Sequence, residues 1–141
     1  MPSPLIRQMI QQQGYPELDE ATLVPFLAEQ KHSVLFFTGD PKQYPESNDV
    51  AVILPELAAR FTDRFRVAVV TREAELALQK RFPFSSWPAL VFVRGEQYLG
   101  AITRVQNWSD YLVEIDRMLG AEALHRRDLG IPVITAAASQ A

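Results

Sequence analysis

The amino-acid sequence predicts an α/β domain, with one mixed sheet of about four strands flanked by helices. Residues 33–37 and 65–70 are continuous apolar runs rich in strand-forming residues, and a helical pattern separates them. Residues 88–105 contain two further apolar runs joined at Gly95, which is a hairpin signal. Strands separated by helices pair in parallel through right-handed crossovers, whereas a hairpin adds antiparallel strands. A mixed sheet with helices on both faces satisfies all three observations.

Two helices are expected before the first strand. Residues 3–13 carry apolar side chains at helical spacing, and Gly14 is suited to end that helix. Asp19 is a favourable N-cap for a second helix. The run "SVLFF" at 33–37 then has the pattern of a strand covered on both faces. The first helix is therefore an addition in front of the alternating strands and helices.

A long loop follows the first strand. The loop "TGDPKQYPESND" at 38–49 has two prolines and one glycine, but neither cysteine nor histidine. Residues 50–61 have the pattern of an apolar helix, and Asp49 is in position to cap it. Pro55 inside that helix removes one backbone hydrogen bond and clashes with the preceding turn, so we expect a kink there.

Two more helices are expected in the second half of the chain. Thr71 is a candidate N-cap for a helix that continues to Arg81. Residues 107–119 form an amphipathic pattern that Gly120 is expected to end. We therefore assign residues 1–120 to the domain and residues 121–141 to a mobile tail, in which "IPVIT" is able to dock as an extended segment.

Composition excludes several classes of function. The chain of 141 residues is long enough for one domain, and its 48% apolar content is typical of a globular protein. A net charge of −3 does not indicate a nucleic-acid-binding face. We expect no membrane span, because no apolar run approaches 18 residues. The N-terminus lacks the features of a signal peptide, so a cytoplasmic location is expected.

The absence of cysteine narrows the chemistry further. A chain with no cysteine has no disulfide, no thiolate nucleophile, no iron–sulfur ligation and no dithiol redox chemistry. The two histidines, His32 and His125, lie far apart and have no partner at metal-ligand spacing. We therefore expect neither a metal nor another cofactor.

Pro88 narrows the choice among α/β folds, because it stands immediately before a buried strand that runs into a hairpin. This pattern resembles that of thioredoxin-like domains, in which the proline is cis and lies beside the active-site loop. The resemblance covers residues 33–119 and predicts a cis bond at Pro88. It places residues 47–50, "SNDV", where a thioredoxin has its two cysteines. The loop before them is several residues longer than in a thioredoxin.

The sequence also resembles the HyaE/HupG family of hydrogenase accessory proteins, which are thioredoxin-like without a dithiol. "DPKQYPESND" at 40–49 matches the family pattern D-P-K-x-x-P-E-x-x-D. Gly14–Tyr15 resembles its glycine–aromatic pair, and "RFPFSSWPALVF" resembles its strand entry. The resemblance implies a cytoplasmic chaperone for assembling a nickel–iron hydrogenase. Its implied partner is the small subunit precursor with a twin-arginine export signal, and other hydrogenase accessory proteins are possible partners.

The candidate partner-binding site lies in the 38–49 loop and beside Pro88. Ligands of open α/β sheets bind outside the carboxyl ends of the parallel strands, where this loop is expected. The candidate residues are Asp40, Lys42, Tyr44, Glu46, Asp49, Trp87 and Pro88. Three carboxylates opposed by one lysine would form an acidic rim. Tyr44, Phe84 and Trp87 would supply an apolar floor beneath it. Such a rim suits a basic, partly apolar peptide, because arginine binds carboxylates bidentately and stacks on rings.

Other readings of these residues stay open. Asp40 is able to shape an Asp-Pro turn and Asp49 to cap a helix, whereas Glu46 has the weakest structural explanation and is the strongest functional candidate. A carboxylate pair, Asp40 and Glu46, would be needed for acid–base catalysis. A plain interaction module would instead add a partner strand to the sheet edge near residues 98–104. We favour the non-catalytic chaperone over both alternatives.

Overall fold

The computed structural model describes residues 3–130, with side chains for residues 3–120. The helices are α1 (Pro4–Gln13), α2 (Glu20–Ala28), α3 (Glu46–Arg60), α4 (Glu75–Arg81) and α5 (Trp108–Gly130). The strands are β1 (Glu17–Leu18), β2 (His32–Phe37), β3 (Arg66–Val70), β4 (Ala89–Arg94) and β5 (Gln97–Thr103). The predicted mixed α/β architecture is confirmed. Residues 131–141, including "IPVIT", lie outside the described residues.

The strands form one mixed sheet in the order β1-β3-β2-β4-β5. Strands β1, β2 and β3 run in parallel, and β4 and β5 are added antiparallel as the predicted hairpin. The prediction of about four strands missed β1. That strand is two residues long, and so short a segment gives no readable alternation. β5 forms one edge of the sheet that the described residues make.

Helices cover both faces of the sheet, as predicted. Val34 and Phe36 of β2 belong to a core packed against α1, α3 and α5. Leu35 and Phe37 point to the opposite face and belong to a second core packed against α2 and α4. Because successive strand residues point to opposite faces, a strand with two apolar faces needs helices on both sides. Among the described residues, no helix is both long enough and apolar enough to span a membrane.

The two N-terminal helices begin and end where the sequence predicts. Gly14 adopts a left-handed conformation (φ 69°) after α1, and its N–H is bonded to the carbonyl of Ile10. The Asp19 carboxylate accepts from the N–H groups of Ala21 and Thr22, and the Thr22 hydroxyl closes a capping box. Both boundary predictions are therefore confirmed.

Helix α3 begins four residues earlier than predicted. Its first residue is Glu46, and Pro45 before it already has helical dihedral angles (φ −63°, ψ −20°). Asp49 therefore lies inside the first turn and does not cap the helix, so that prediction is wrong. Proline at this position fixes φ near the helical value, which favours an early start. Pro55 lies inside α3 as expected, and the kink there stays a prediction.

Two further helix boundaries differ from the sequence prediction. A 3₁₀ turn, Arg72–Ala74, precedes α4, and in this described segment Thr71 makes no side-chain cap bond. Gly120 lies inside α5, which continues to Gly130. Glycine costs a helix only about 1 kcal/mol relative to alanine, and the "AEAL" that follows it is rich in helix formers. The prediction that Gly120 ends the helix is therefore wrong.

Candidate functional site

The fold brings the 38–45 loop next to Pro88. The loop leaves the carboxyl end of β2, and Phe37 at that end is paired with Ala89, the first residue of β4. The Trp87–Pro88 peptide bond is cis, as the sequence predicted. The side chain of Pro88 is buried, whereas Trp87 is partly exposed beside the loop. The two sequence segments that carry the candidate residues therefore meet at one place.

A surface cleft of about 480 Å³ opens between these segments. Its lining residues are Gln43, Tyr44, Pro45, Glu46, Ser85, Ser86, Trp87 and Arg104. We call it the cis-proline cleft. It includes the candidates Tyr44, Glu46 and Trp87. Within the described part of the chain, its lining residues do not include Asp40, Lys42, Asp49 or the buried Pro88.

One side of the cis-proline cleft is aromatic. The rings of Tyr44 and Trp87 are stacked, with centroids 6.2 Å apart and an interplanar angle of 28°. The ring of Phe84 packs edge-on against that of Trp87, with centroids 4.9 Å apart. The ring centroid of the buried Phe37 lies 4.9 Å from that of Phe84. We call these four residues the aromatic cluster. The structure thus brings together the three aromatic residues that the sequence proposed as an apolar floor, and anchors them to the core through Phe37.

Gly39 allows the aromatic cluster to close. Its backbone is left-handed (φ 67°), a conformation that glycine adopts without the cost it has for other residues. A Cβ atom at this position would lie 2.8 Å from Cδ2 of Tyr44 and 3.3 Å from Cβ of Trp87. Both the dihedral angle and the space therefore require glycine where the loop passes under the Tyr44–Trp87 stack.

The buried side chain of Glu75 is hydrogen-bonded to the 38–45 loop at Gly39. Its side chain is 1% exposed, and its Oε2 accepts from the Gly39 N–H at 3.0 Å. Arg72 donates to Oε1 at 2.5 Å. Burial raises the pKa of Glu75, although the Gly39 N–H and Arg72 oppose this effect. No sequence signal connected Glu75 to the loop, because Glu75 and Gly39 are 36 residues apart in the chain.

Glu46 has structural partners that the sequence did not reveal. The Arg104 guanidinium donates from Nη2 to Oε2 at 2.5 Å, and the Val105 N–H donates to Oε1 at 2.8 Å. Glu46 therefore joins the start of α3 to the segment after β5. The expectation that Glu46 has the weakest structural explanation is wrong, and Lys42 is not the only cation near the candidate carboxylates.

The other two carboxylates occupy different places. The Asp40 carboxylate accepts from the Lys42 N–H at 3.0 Å, and its carbonyl accepts from the N–H groups of Gln43 and Tyr44. This is the turn-forming role that the sequence left open. Asp49 is exposed on α3, and its charge makes a small contribution to the raised pKa of Tyr111, for which burial is the main cause. The three carboxylates therefore do not share one rim of the cis-proline cleft.

The Glu46 contact makes the stability of the fold depend on pH. The hydrogen bonds from Arg104 and the Val105 N–H lower the pKa of Glu46. Stability from this contact is therefore present above the pKa of an unfolded glutamate, about 4.3, and is lost as the pH falls through the lower folded pKa. We expect the wild type to be more stable than Glu46→Gln at neutral pH, with the difference shrinking in acid. Urea unfolding of both proteins across this range measures it, and a constant difference would contradict the contact.

Comparison with known proteins identifies the family. A family model described as "Hydrogenase-1 expression protein HyaE" matches residues 5–111. The chain belongs to the HyaE family. Among relatives of this HyaE-family protein, hydrogenase expression/formation protein HoxO of Azotobacter vinelandii is 46% identical over 84% of this chain and 80% of its own. HupG of Rhizobium leguminosarum bv. viciae is 42% identical over 86% of this chain and 85% of its own.

Solved structures confirm the thioredoxin-like fold of this HyaE-family protein. Hydrogenase expression/formation protein HupG of Rhodopseudomonas palustris is 43% identical, with a TM-score of 0.55, over 77% of this chain and 97% of its own. Thioredoxin f2 of Chlamydomonas reinhardtii has a TM-score of 0.59 at 20% identity, over 74% of this chain and 94% of its own. The second similarity concerns the fold alone. Where the resemblance places the thioredoxin cysteines, this chain has the buried Ser47 and its neighbours in the first turn of α3.

Proposed function

We propose that this protein is a non-catalytic chaperone of nickel–iron hydrogenase maturation. It binds the small subunit precursor in the cytoplasm, recognises the twin-arginine export signal, and holds the precursor until export. Membership of the HyaE family supports a role in hydrogenase expression and formation. The proposal of signal recognition rests on the cis-proline cleft, in which a carboxylate and two stacked aromatic rings line one surface.

The chemistry of the cis-proline cleft suits an arginine-containing peptide. A guanidinium group binds carboxylates bidentately and stacks on aromatic faces, whereas a lysine ammonium does neither as well. Glu46 supplies the carboxylate, and Tyr44 and Trp87 supply the rings. The apolar stretch that follows the two arginines of an export signal gains from contact with the exposed aromatic surface. The position of a redox site is thus used for recognition in a chain without cysteine.

The decisive experiment is a titration of the protein with the small subunit precursor, with and without its twin-arginine segment, at low and moderate salt. We expect binding that requires the segment and weakens as salt rises, because charge attraction between exposed groups is screened. Equal binding of both precursors would move the contact to the mature subunit. Absence of binding to either precursor would overturn the proposed function.

Replacing Trp87 by alanine is expected to weaken precursor binding about 30-fold or more, the usual effect of removing a central aromatic anchor. Trp108→Ala is the matched control, because Trp108 is 42% exposed on α5 and does not line the cis-proline cleft within the described residues. Fluorescence anisotropy with a labelled precursor measures both affinities, and urea unfolding confirms that each variant is folded. Equal affinities for the two variants would show that the aromatic cluster is not the contact.

A second candidate is an interaction module that binds a partner through the edge of β5. A groove of about 370 Å³ runs between β5 and α5, and its lining includes Ala101, Thr103 and Val113. Strand addition there would depend on backbone hydrogen bonds and little on Glu46. Binding that survives Glu46→Gln and Trp87→Ala would favour this edge. Acid–base catalysis receives less support, because the pKa of Glu46 is lowered, which is the wrong direction for a general acid.

A further inference from the structure

Arg104 binds the carboxylate of Glu46, the group to which an arginine of the partner would bind in the proposed function. Its Nε lies 3.2 Å from both oxygens of Glu46, and its Nη2 lies 2.5 Å from Oε2. The guanidinium therefore meets the carboxylate side-on, with two nitrogens directed at it. This is the bidentate geometry that arginine uses to bind carboxylates of other molecules. Glu46 and Arg104 also both line the cis-proline cleft.

The backbone of Arg104 is fixed independently of its side chain. Its N–H donates to the carbonyl of Pro88 at 2.8 Å. Its φ of 63° is left-handed, which is uncommon for a residue other than glycine. Unusual backbone conformations of this kind persist only where the surrounding structure holds them, and they cluster at ligand-binding sites. The side chain of Arg104 is nevertheless 58% exposed, so it is able to leave Glu46 and enter solvent without opening the core.

Glu46 stays in place when the guanidinium leaves. The Val105 N–H donates to its Oε1 at 2.8 Å, and the side chain is 28% exposed. A carboxylate that keeps a backbone donor on one oxygen remains oriented, with the second oxygen available to a new donor. Tyr44 and Trp87 line the same cleft, so an arginine arriving from solvent gains ring contacts in addition to the ion pair.

We infer that Arg104 is a built-in competitor, whose guanidinium occupies Glu46 in the free protein and is displaced by an arginine of the bound peptide. This inference rests on the proposed function and adds the regulation of the same site. An exposed ion pair contributes little free energy, so the closed state reduces affinity only a few-fold. The contact thereby keeps the carboxylate covered until a peptide that offers both guanidinium and apolar groups replaces it.

The first test uses a synthetic twin-arginine signal peptide and the fluorescence of Trp87 in the full chain, with Trp108→Phe as the background. Arg104→Ala is expected to tighten binding about two- to six-fold, by removing the competitor. In a Glu46→Gln background the same substitution is expected to change nothing, because no carboxylate is released. Weaker binding by Arg104→Ala would overturn the inference and make Arg104 a direct contact or a positioning residue.

Arg81→Ala is the matched control for net charge. Arg81 forms an exposed ion pair with Glu96, in the hairpin turn at the other end of β4. Its removal changes the net charge by the same amount as Arg104→Ala, and we expect it to leave peptide affinity unchanged. The inference would be overturned if Arg81→Ala increased peptide affinity as much as Arg104→Ala does. It would also be overturned if Arg104→Ala still increased the affinity in the Glu46→Gln background. In both cases the change in net charge would account for the effect.

The second test does not need the signal peptide, so it separates this inference from the proposed function. The Nε–Hε signal of Arg104, assigned by its loss in Arg104→Ala, is followed by nuclear magnetic resonance during titration with arginine amide. We expect the signal to move to the position of solvent-exposed arginines, whereas lysine amide leaves it in place. An unmoved signal at high arginine amide overturns the inference, even if the precursor binds. Displacement without any precursor binding would instead overturn the proposed function alone.

Discussion

Replacing Gly39 by alanine is expected to destabilise the fold by roughly 2–5 kcal/mol and to disrupt the aromatic cluster. A left-handed backbone costs an alanine roughly 1–2 kcal/mol, and the φ of Gly39 is 67°. The new Cβ would also lie 2.8 Å from the Tyr44 ring, well inside contact distance. Crowding of this kind costs about 1–3 kcal/mol. Because Tyr44 is in a partly exposed loop, it is expected to move away from Trp87, and precursor binding is expected to fall with it.

Gly14→Ala separates the two causes. Gly14 has nearly the same dihedral angle (φ 69°), but among the described residues no atom beyond Gly14 itself and its two chain neighbours lies within 4 Å of an added Cβ. Its substitution therefore measures the backbone cost alone. Gly39→Ala should lose more free energy of unfolding than Gly14→Ala. The double variant Gly39→Ala/Tyr44→Ala removes the crowded ring and should recover part of that difference. Urea unfolding gives these differences. An equal loss for both single variants would show that the Tyr44 contact does not constrain the loop.

The fold was predictable because it depends on local patterns. Continuous apolar runs at 33–37 and 65–70, with a hairpin around Gly95, are sufficient for a mixed sheet, and all three are observed. The resemblance to thioredoxin-like domains, carried by Pro88 before a buried strand, predicted the cis bond that the structure contains. The errors lie where local signals are weak or compete. β1 is too short to show an alternation of apolar and polar residues. α3 begins directly after Pro45, three residues before Asp49, where the cap was expected.

The candidate site was predictable only in its location and its aromatic residues. Tyr44 and Trp87 were expected together because the loop after β2 and the residue before Pro88 must meet at the carboxyl end of the sheet. The hydrogen bond between Glu46 and Arg104 spans 58 residues, and the one between Gly39 and Glu75 spans 36. A single sequence contains no information on such pairings. The sequence therefore suggested Glu46 as a loop carboxylate without a structural partner, and it gave no sign that Glu75 contacts the loop.

Removal of the Glu75 carboxylate has the second large expected effect. Glu75→Ala leaves the buried Gly39 N–H without its acceptor and opens space beneath the loop. An unsatisfied buried donor costs about 1–3 kcal/mol, and lost packing adds to it, so we expect a destabilisation of about 2 kcal/mol or more. Glu75→Gln keeps a neutral acceptor for Gly39 and is expected to be less destabilised. Urea unfolding measures both variants, with Glu73→Ala as an exposed neighbouring control.

The pH dependence of the Glu75 variants tests the same contact from another direction. Burial raises the pKa of Glu75, so the folded state binds its proton more tightly than the unfolded state does. The resulting stability is present below the pKa of an unfolded glutamate and is lost as the pH rises through the higher folded pKa. The advantage of the wild type over Glu75→Gln should therefore shrink as the pH rises, opposite to the trend for Glu46→Gln. A parallel trend for the two variants would mean that Glu75 is held mainly by its Arg72 partner, with burial the smaller influence.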